Sequence, residues 1–267
     1  MKDFKSLMSL KGRVAVVTGG AGHLGRTMSN ALAEVGADVV VVDIQDDTIE
    51  PVVEELKQKW GCRAVGFAVD LEDSNAAAAL PDRVAAEMGR LDILVNNAAF
   101  VGTSGLTGWN EPFERQSVET WKRALTVNLT AIFALTQAAA PHLAASGHGA
   151  VVNVASIYGI VGPDFRLYDG LHMSNPAAYA ASKGGVVQFT RWCSTVLAPS
   201  IRVNAITPGG IFRNQDPKFV ERYEYRTPLK RMACEDDFIG AIVYLASDLS
   251  QYVTGQNIVI DGGFSVW

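Results

Sequence analysis

Three side chains in the second half of the sequence could pass a proton between them. Tyr179 and Lys183 lie four residues apart in a run, 176 to 197, whose apolar spacing predicts a helix, so they fall on one face a turn apart. An ammonium beside a phenol favours the phenolate and draws its pKa down from about 10 toward working pH. Ser156 follows Val151 to Val154, a short apolar run that reads as a buried strand. Its hydroxyl could hold a carbinol or carbonyl oxygen while the phenol exchanges a proton with it. Each feature taken singly has an ordinary explanation: a serine at a strand end makes a turn or caps a helix, and Tyr-x-x-x-Lys arises by chance.

The elements that must position this trio begin at the other end of the sequence. Val14 to Val17 is a β-branched run closed by Gly19, Gly20, Gly22 and Gly25. From Leu24 to Val35 the spacing turns helical, with Leu24, Met28, Ala31, Leu32 and Val35 on one face, and Gly36 stops it. A second apolar run, Val39 to Val42, ends in Asp43, 18 residues beyond Gly25. Strand, glycine turn, helix, strand and acid make a βαβ unit suited to a dinucleotide: the turn Gly19, Gly22, His23, Leu24 and Gly25 faces the pyrophosphate, and Asp43 accepts from the adenosine ribose. A carboxylate there repels a 2′-phosphate, and no basic residue stands between Arg26 and Lys57, so NAD is expected and NADP disfavoured. With a nicotinamide bound, the proton exchange at Tyr179 becomes the partner of a hydride transfer.

The rhythm then repeats. Helices are expected over 49–60, 75–88, 118–146, 176–197 and 236–246, and strands over 64–69, 91–95, 151–154, 201–206 and 257–260. Strands rich in Val, Ile and Ala without alternation suit a parallel sheet covered on both faces. The expected fold is therefore α/β: a doubly wound, seven-stranded parallel sheet (Rossmann fold) with helices on both faces, forming one domain over 1–267. Each carboxyl-edge strand tip is polar or glycine: Gly19, Asp43, Asp70, Asn96, Ser156 and Pro208-Gly209. Three polar loops, about 102–117, 157–175 and 212–232, are placed to face substrate.

Composition narrows the class. Among 267 residues, 48% hydrophobic and 19% charged content with 25 glycines suits a compact α/β enzyme. A net charge of −5 argues against a nucleic-acid partner. Cys62, Cys193 and Cys234 form no metal spacing or disulfide framework, and His23, His142, His148 and His172 no ligand cluster, so no metal site is expected. Residues 1–11 lack a long apolar stretch and read as a short mobile lead-in, with neither signal peptide nor membrane span, hence a cytoplasmic protein. Trp60, Trp121 and Trp192 are expected to pack.

Taken together, Thr18-Gly19 with Gly25, Asn96-Asn97-Ala98, Asn128, Ser156, Tyr179-Ala-Ala-Ser-Lys183, Pro208-Gly209, Tyr252-Val-Thr-Gly-Gln256 and Asp261-Gly262-Gly263 resemble the single-domain branch of the short-chain dehydrogenase/reductase family, from about residue 10 to 263. The resemblance implies that Tyr179 is the acid/base and Ser156 the partner of the substrate oxygen. Lys183 would bind the nicotinamide ribose and tune Tyr179, with Asn128 supporting a water-linked proton path to it. Asp70 and its neighbour Leu71 would meet the adenine, Asn97 and Ala98 would line the cofactor edge, and the backbone at Ile211, after Pro208-Gly209, would meet the carboxamide. A homotetramer built through the helices carrying Asn128 and Tyr179 is implied as well.

Three features depart from the family pattern. His23 replaces a common glycine and gives the spacing TGxxGxxG of the extended, epimerase-like branch, whose added substrate domain is missing here. Ser156 and Tyr179 are 23 residues apart, an unusually long separation that brings in Tyr158, Asp164, Arg166, Tyr168, Asp169 and His172. Arg213 stands where a cofactor-facing threonine is common.

Stretch 213–231 carries Arg213, Lys218, Arg222, Arg226, Lys230 and Arg231 against Asp216, Glu221 and Glu224. It reads either as a solvated helical lid or as a lid whose cations, with Asn214, Gln215 and Tyr223, meet a polar or anionic substrate. The expected reaction is hydride transfer between NAD(H) and a secondary alcohol or ketone of a sugar, sugar acid or sugar nucleotide. The stretches from Ser156 and from Pro208, with the long segment before Tyr179, are similar to oxidoreductases of flagellin-glycan and nonulosonate sugar pathways. Alternatives are a 3-oxoacyl-carrier reductase, an NAD-assisted sugar epimerase or dehydratase, and a non-catalytic dinucleotide-binding protein.

Overall fold

The computed structural model describes residues 3–101 and 104–267, so Gly102 and Thr103 of the first polar loop lie outside the described residues. Seven parallel strands form one sheet: β1 (Val14–Thr18), β2 (Asp38–Asp43), β3 (Ala64–Ala68), β4 (Ile93–Asn96), β5 (Gly149–Val154), β6 (Ile201–Pro208) and β7 (Asn257–Ile260). Their order is β3-β2-β1-β4-β5-β6-β7. The chain therefore winds outward from β1 in both directions, and the crevice of such a sheet opens where β1 and β4 diverge.

Both faces are covered, as the unbroken apolar strands require. On one face Ala15, Val17, Val39 and Val41 pack with Leu24, Met28 and Leu32 of α2 (His23–Glu34), Val52 and Leu56 of α3 (Asp46–Trp60), and Ile242 and Leu245 of α9 (Ile239–Ala246). On the other, Val14, Val16, Val40 and Val42 meet Leu80 and Val84 of α4 (Ser74–Met88) and Leu135 and Leu143 of α6 (Ala131–Ser146). Alternate residues of each central strand point to opposite cores, the period-two geometry of a strand.

The structure departs from the sequence expectation in four places. Within the lead-in, Phe4–Met8 forms the short helix α1, capped by Asp3, and the Leu10 N–H donates to the Val35 carbonyl at 2.8 Å. The single helix expected over 118–146 is α5 (Val118–Leu125) and α6 joined by a π-helical turn, Thr126–Thr130, which places Asn128 at the junction. This run is long and apolar enough to cross a membrane by length and composition, and 44% of its most apolar window is buried inside the fold. The loop expected to be polar over 102–117 carries Trp109, which is 2% exposed and donates from its indole to the Val101 carbonyl at 2.8 Å. Trp60 is half-buried as expected, but Trp121 and Trp192 are exposed on helical surfaces.

The long helix α7 (Ala177–Val196) carries Tyr179 and Lys183, and α8 (Pro217–Arg226) forms the middle of the stretch over 212–232.

Candidate active site

The glycine turn is shaped by contact. A Cβ on Gly25 would stand 2.0 Å from the Gly19 carbonyl oxygen, and one on Gly19, at φ +61°, would stand 3.0 Å from the Asn97 amide nitrogen and Ala98 Cα. Only glycine lets β1, α2 and the tail of β4 meet so closely. Asn97 fixes that meeting: its amide donates to the Thr18 carbonyl at 2.9 Å and the Gly19 carbonyl at 3.1 Å. The Thr18 hydroxyl accepts from the Asn97 and Ala98 backbone N–H groups at 3.0 and 3.2 Å.

Gly22 caps α2 and offers no side chain to its first N–H groups. A helix start left in this way is a ready seat for an anion, and this cradle fits the pyrophosphate of a nicotinamide dinucleotide. Leu24 is buried beneath it, while His23 is exposed on the first turn.

Asp43 ends β2 directly beside the turn. One carboxylate oxygen accepts from the Ala21 N–H at 3.1 Å and the other from the Ile44 N–H at 2.9 Å. The negative charge is thereby held at the edge where the adenosine ribose of such a dinucleotide would lie. Asp70, past the end of neighbouring β3, closes its own turn by accepting from the Glu72 N–H at 2.9 Å, and Leu71 is buried next to it.

Across the crevice, β5 delivers Ser156 and α7 delivers Tyr179 and Lys183. The Ser156 hydroxyl oxygen accepts from the Tyr158 N–H at 3.3 Å, which leaves its own proton to donate. The Lys183 ammonium is buried and donates to the Val154 carbonyl at 2.7 Å, so one of its three donors anchors it to β5. Burial brings its pKa down to about 8.

The charge relation between the pair differs from the sequence expectation. Burial raises the Tyr179 phenol above its ordinary value, and the influences that offset this come from the Ser156 hydroxyl and the Arg213 charge. Lys183 holds its ammonium 5.8 Å from the centre of the Tyr179 ring.

Asn128 is fully buried at the π turn. Its amide oxygen accepts from the Phe100 N–H at 2.7 Å, and its nitrogen donates to the Phe100 carbonyl at 3.1 Å and the Ser182 hydroxyl at 3.2 Å. Ser182 in turn donates to the Tyr179 carbonyl at 2.8 Å. The side chain therefore clamps the tail of β4 to α7.

Sequence reasoning passed over several supports. Gln116 accepts from the Ala177 N–H at 3.0 Å and caps α7, whose N-cap Pro176 makes no such bond. Trp109 packs with Ala124 and Ala178 against Tyr179. A Cβ on Gly159 would stand 2.6 Å from the Lys183 carbonyl, so this glycine lets the segment after Ser156 lie on α7. Their signals, single residues inside loops, have no period to announce them.

On the far side of the cleft, α8 packs inward through Phe219 and Tyr223. A run of rings, Tyr168 to Phe219 at 5.3 Å, Phe219 to Tyr223 at 5.8 Å and Tyr223 to Phe264 at 4.6 Å between centres, joins the 157–175 segment to α8 and the C-terminal turn. The Tyr223 hydroxyl accepts from the Gly210 N–H at 2.5 Å. Pro208 ends β6, and a Cβ on Gly209 would stand 2.8 Å from Asp261 Cα. Ile211 pairs with Ala233 in an isolated bridge, and its carbonyl accepts from the Gln215 amide at 2.7 Å.

The cations of this stretch are mostly engaged within the chain. Arg222 donates to the Leu167 and Asp169 carbonyls at 3.2 and 2.8 Å, closing the turn Phe165–Tyr168. Arg226 pairs with Asp164, Arg231 with Asp237 and Arg213 with Glu235, while Lys230 donates to the Tyr225 carbonyl. The Arg166 guanidinium, with Arg226 beyond it, holds the Asp164 carboxyl down to about 2. These contacts favour the lid reading over a row of free cations awaiting substrate.

A hollow of about 990 Å³ lies against the outer face of α8, lined by Phe212, Pro217, Glu221, Glu224 and Tyr225 among others. Phe219, Tyr223, Ser156, Tyr179 and Lys183 are not among its lining residues.

A parallel sheet wound outward from a glycine-turn strand, with serine, tyrosine and lysine gathered at its carboxyl edge, defines a dinucleotide-dependent oxidoreductase of alcohol groups. The family model described as enoyl-(acyl carrier protein) reductase (adh_short_C2) matches residues 19–265. Cis-4-hydroxycyclohexanecarboxylate dehydrogenase of Sinomonas cyclohexanicum is 36% identical over 258 residues, covering 95% of this chain and 96% of the relative. The 3-oxoacyl-[acyl-carrier-protein] reductase of Thermotoga maritima is 33% identical, covering 97% and 100%. Among solved structures, a gluconate 5-dehydrogenase from Burkholderia cenocepacia in complex with NADP and tartrate superposes with a TM-score of 0.87 at 28% identity, covering 99% of this chain and 100% of that one. The chain belongs to the short-chain dehydrogenase/reductase family.

Proposed function

We propose that this protein is an NAD-dependent dehydrogenase of polar secondary alcohols, acting on a hydroxyl of a sugar, polyol or sugar acid. The observation that carries the reading is the meeting of Ser156, Tyr179 and Lys183 at the edge that also bears the glycine turn and Asp43. A nicotinamide bound there accepts or returns hydride at the substrate carbon. Ser156 donates to the reacting oxygen, Tyr179 takes or gives that oxygen's proton, and Lys183 offers its remaining donors to the nicotinamide ribose. Asn128 positions Tyr179 through Ser182, and the Ile211 backbone serves the carboxamide. Asp43 selects NAD, because a 2′-phosphate brought against this carboxylate meets repulsion with no basic neighbour from Arg26 to Lys57.

The substrate class draws support from two similar proteins named for acting on hydroxy acids, hydroxycyclohexanecarboxylate and gluconate. Residues 1–267 act as a single domain, and the helices carrying Asn128 and Tyr179 form the faces of a homotetramer in a cytoplasmic enzyme. A second reading, reduction of a carrier-linked 3-oxoacyl chain, draws support from the Thermotoga maritima relative.

A screen of sugars, polyols and sugar acids with NAD and NADP, run beside a carrier-linked 3-oxoacyl substrate with NADH and NADPH, tests both readings. NADH formation from a polyhydroxylated alcohol is expected. Turnover confined to a carrier-linked 3-oxoacyl substrate with NADPH would overturn the first reading. In the same screen Tyr179→Phe is expected to lower kcat by roughly 10²–10⁴-fold, the usual worth of a positioned acid/base, while the Kd for NAD stays within twofold.

A further inference from the structure

Between Ser156 and Tyr179 the chain contributes two further phenols to the same cleft. The Tyr158 and Tyr168 hydroxyls lie 2.8 Å apart and share one hydrogen bond. Tyr158 belongs to the turn Ile157–Gly159, two residues past Ser156, and its backbone N–H donates to the serine that would meet the reacting oxygen. Tyr168 closes the turn Phe165–Tyr168 and leans on Phe219 of the lid. Both tyrosines pack against the cluster of Ile157, Phe219 and Tyr223, and Tyr179 lies near enough to act on the titration of each.

Burial pushes the Tyr158 phenol far up and the Tyr168 phenol up to about 12. Both therefore stay neutral at working pH and cannot replace Tyr179 as a base. A pair of neutral phenols sharing one hydrogen bond still has one O–H to donate and lone pairs to accept with. That is the complement of a second alcohol group, which also donates once and accepts twice. Arg222 and Arg226 spend their charge holding the turn that carries Tyr168, so the pair is built into the lid contact and has no formal charge of its own.

We propose that Tyr158 and Tyr168 form a hydroxyl subsite that receives the alcohol next to the one being oxidised, making the enzyme selective for vicinal diols. This rests on the dehydrogenase reading above and narrows its substrate. A substrate with a lone hydroxyl would leave the spare phenol proton unpaired in a half-buried place, which is costly; a vicinal diol pairs it.

The test compares cis-1,2-cyclohexanediol with cyclohexanol, molecules that differ by one hydroxyl, using wild type, Tyr158→Phe and Tyr168→Phe. Phenylalanine keeps the ring and its packing. Wild type is expected to favour the diol, and each variant to raise the diol KM about tenfold, the scale of one lost hydrogen bond, with kcat within twofold. The cyclohexanol kcat/KM of each variant is expected to stay at the wild-type value, and the thermal midpoint to fall modestly because the remaining phenol loses its partner. Parallel loss on both alcohols, or a lowered melting temperature with unchanged selectivity, would make the pair a structural clamp and overturn the subsite. Wild-type turnover of cyclohexanol equal to that of the diol would overturn the subsite and leave the dehydrogenase reading intact. No NADH from wild type with either alcohol or with any sugar of the broader screen would remove both.

Discussion

Arg213 is the residue at which this site differs most from what its sequence neighbours predict. It stands after the Pro208-Gly209 pair, and its backbone and side chain are both held: the Gln215 amide oxygen accepts from its N–H at 2.7 Å, and Glu235 accepts from its guanidinium at 3.1 Å. From there its charge opposes the rise that burial imposes on Tyr179. Removing it should raise the phenol further, so less phenolate exists at any given pH. Arg213→Gln is accordingly expected to move the ascending limb of the kcat/KM profile for alcohol oxidation to higher pH, with little change on the plateau. An unmoved limb would separate Arg213 from the acid/base group. At the opposite edge, Asp43→Ala is expected to narrow the preference for NAD by improving kcat/KM with NADP, because a buttressed anion no longer faces the 2′-phosphate. Unchanged discrimination in a two-cofactor assay would move cofactor choice to another residue.

At the scale of elements, the lid holds by its rings. Phe219 is 6% exposed between Tyr168 and Tyr223. Truncation at such a site removes buried area and leaves a cavity, at a cost of about 3–5 kcal/mol. Phe219→Ala is expected to lose stability on that scale in urea denaturation, and to raise KM for the alcohol more than Kd for NAD. The elements also show what was legible in the chain before its fold. Every strand was, the central ones because buried parallel strands such as Val14–Thr18 and Asp38–Asp43 are largely unbroken apolar runs, and the glycines of the dinucleotide turn have few rivals. Tyr179 and Lys183 were placed on one helix face by their spacing alone. The π turn at Asn128 was not, since residues 118–146 keep one helical apolar pattern straight through it. Nor was the fate of the lid arginines: their partners Asp164, Asp237 and the Leu167 and Asp169 carbonyls come together only when α8 folds over the 157–175 segment, and no local spacing encodes that. The effects of burial and Arg213 on Tyr179 were hidden for the same reason, as both act through space.

The whole molecule leaves an apolar surface on the two helices expected to meet neighbouring copies. Phe133 of α6 and Trp192 and Val196 of α7 are 45%, 57% and 52% exposed. Phe133 packs edge-on to Phe189 at 6.0 Å, and Phe189 stacks on Trp192 at 6.4 Å, so the rings form a continuous patch. Light scattering is expected to give a tetramer, and Trp192→Glu to give smaller species by placing a charge where apolar surface is to be covered. A wild-type monomer would refute the assembly.

The bond from the Gly210 N–H to the Tyr223 hydroxyl ties α8 to the segment that follows Pro208-Gly209. In the proposed reading α8 lies over the alcohol and this segment beside the carboxamide, so a coenzyme seated first would set the helix that receives the alcohol. Turnover should then follow a compulsory order, coenzyme first on and last off, with NADH competing against NAD alone and the ketone product giving mixed patterns against both. A steady-state inhibition series reads this choreography directly, without any further view of the fold.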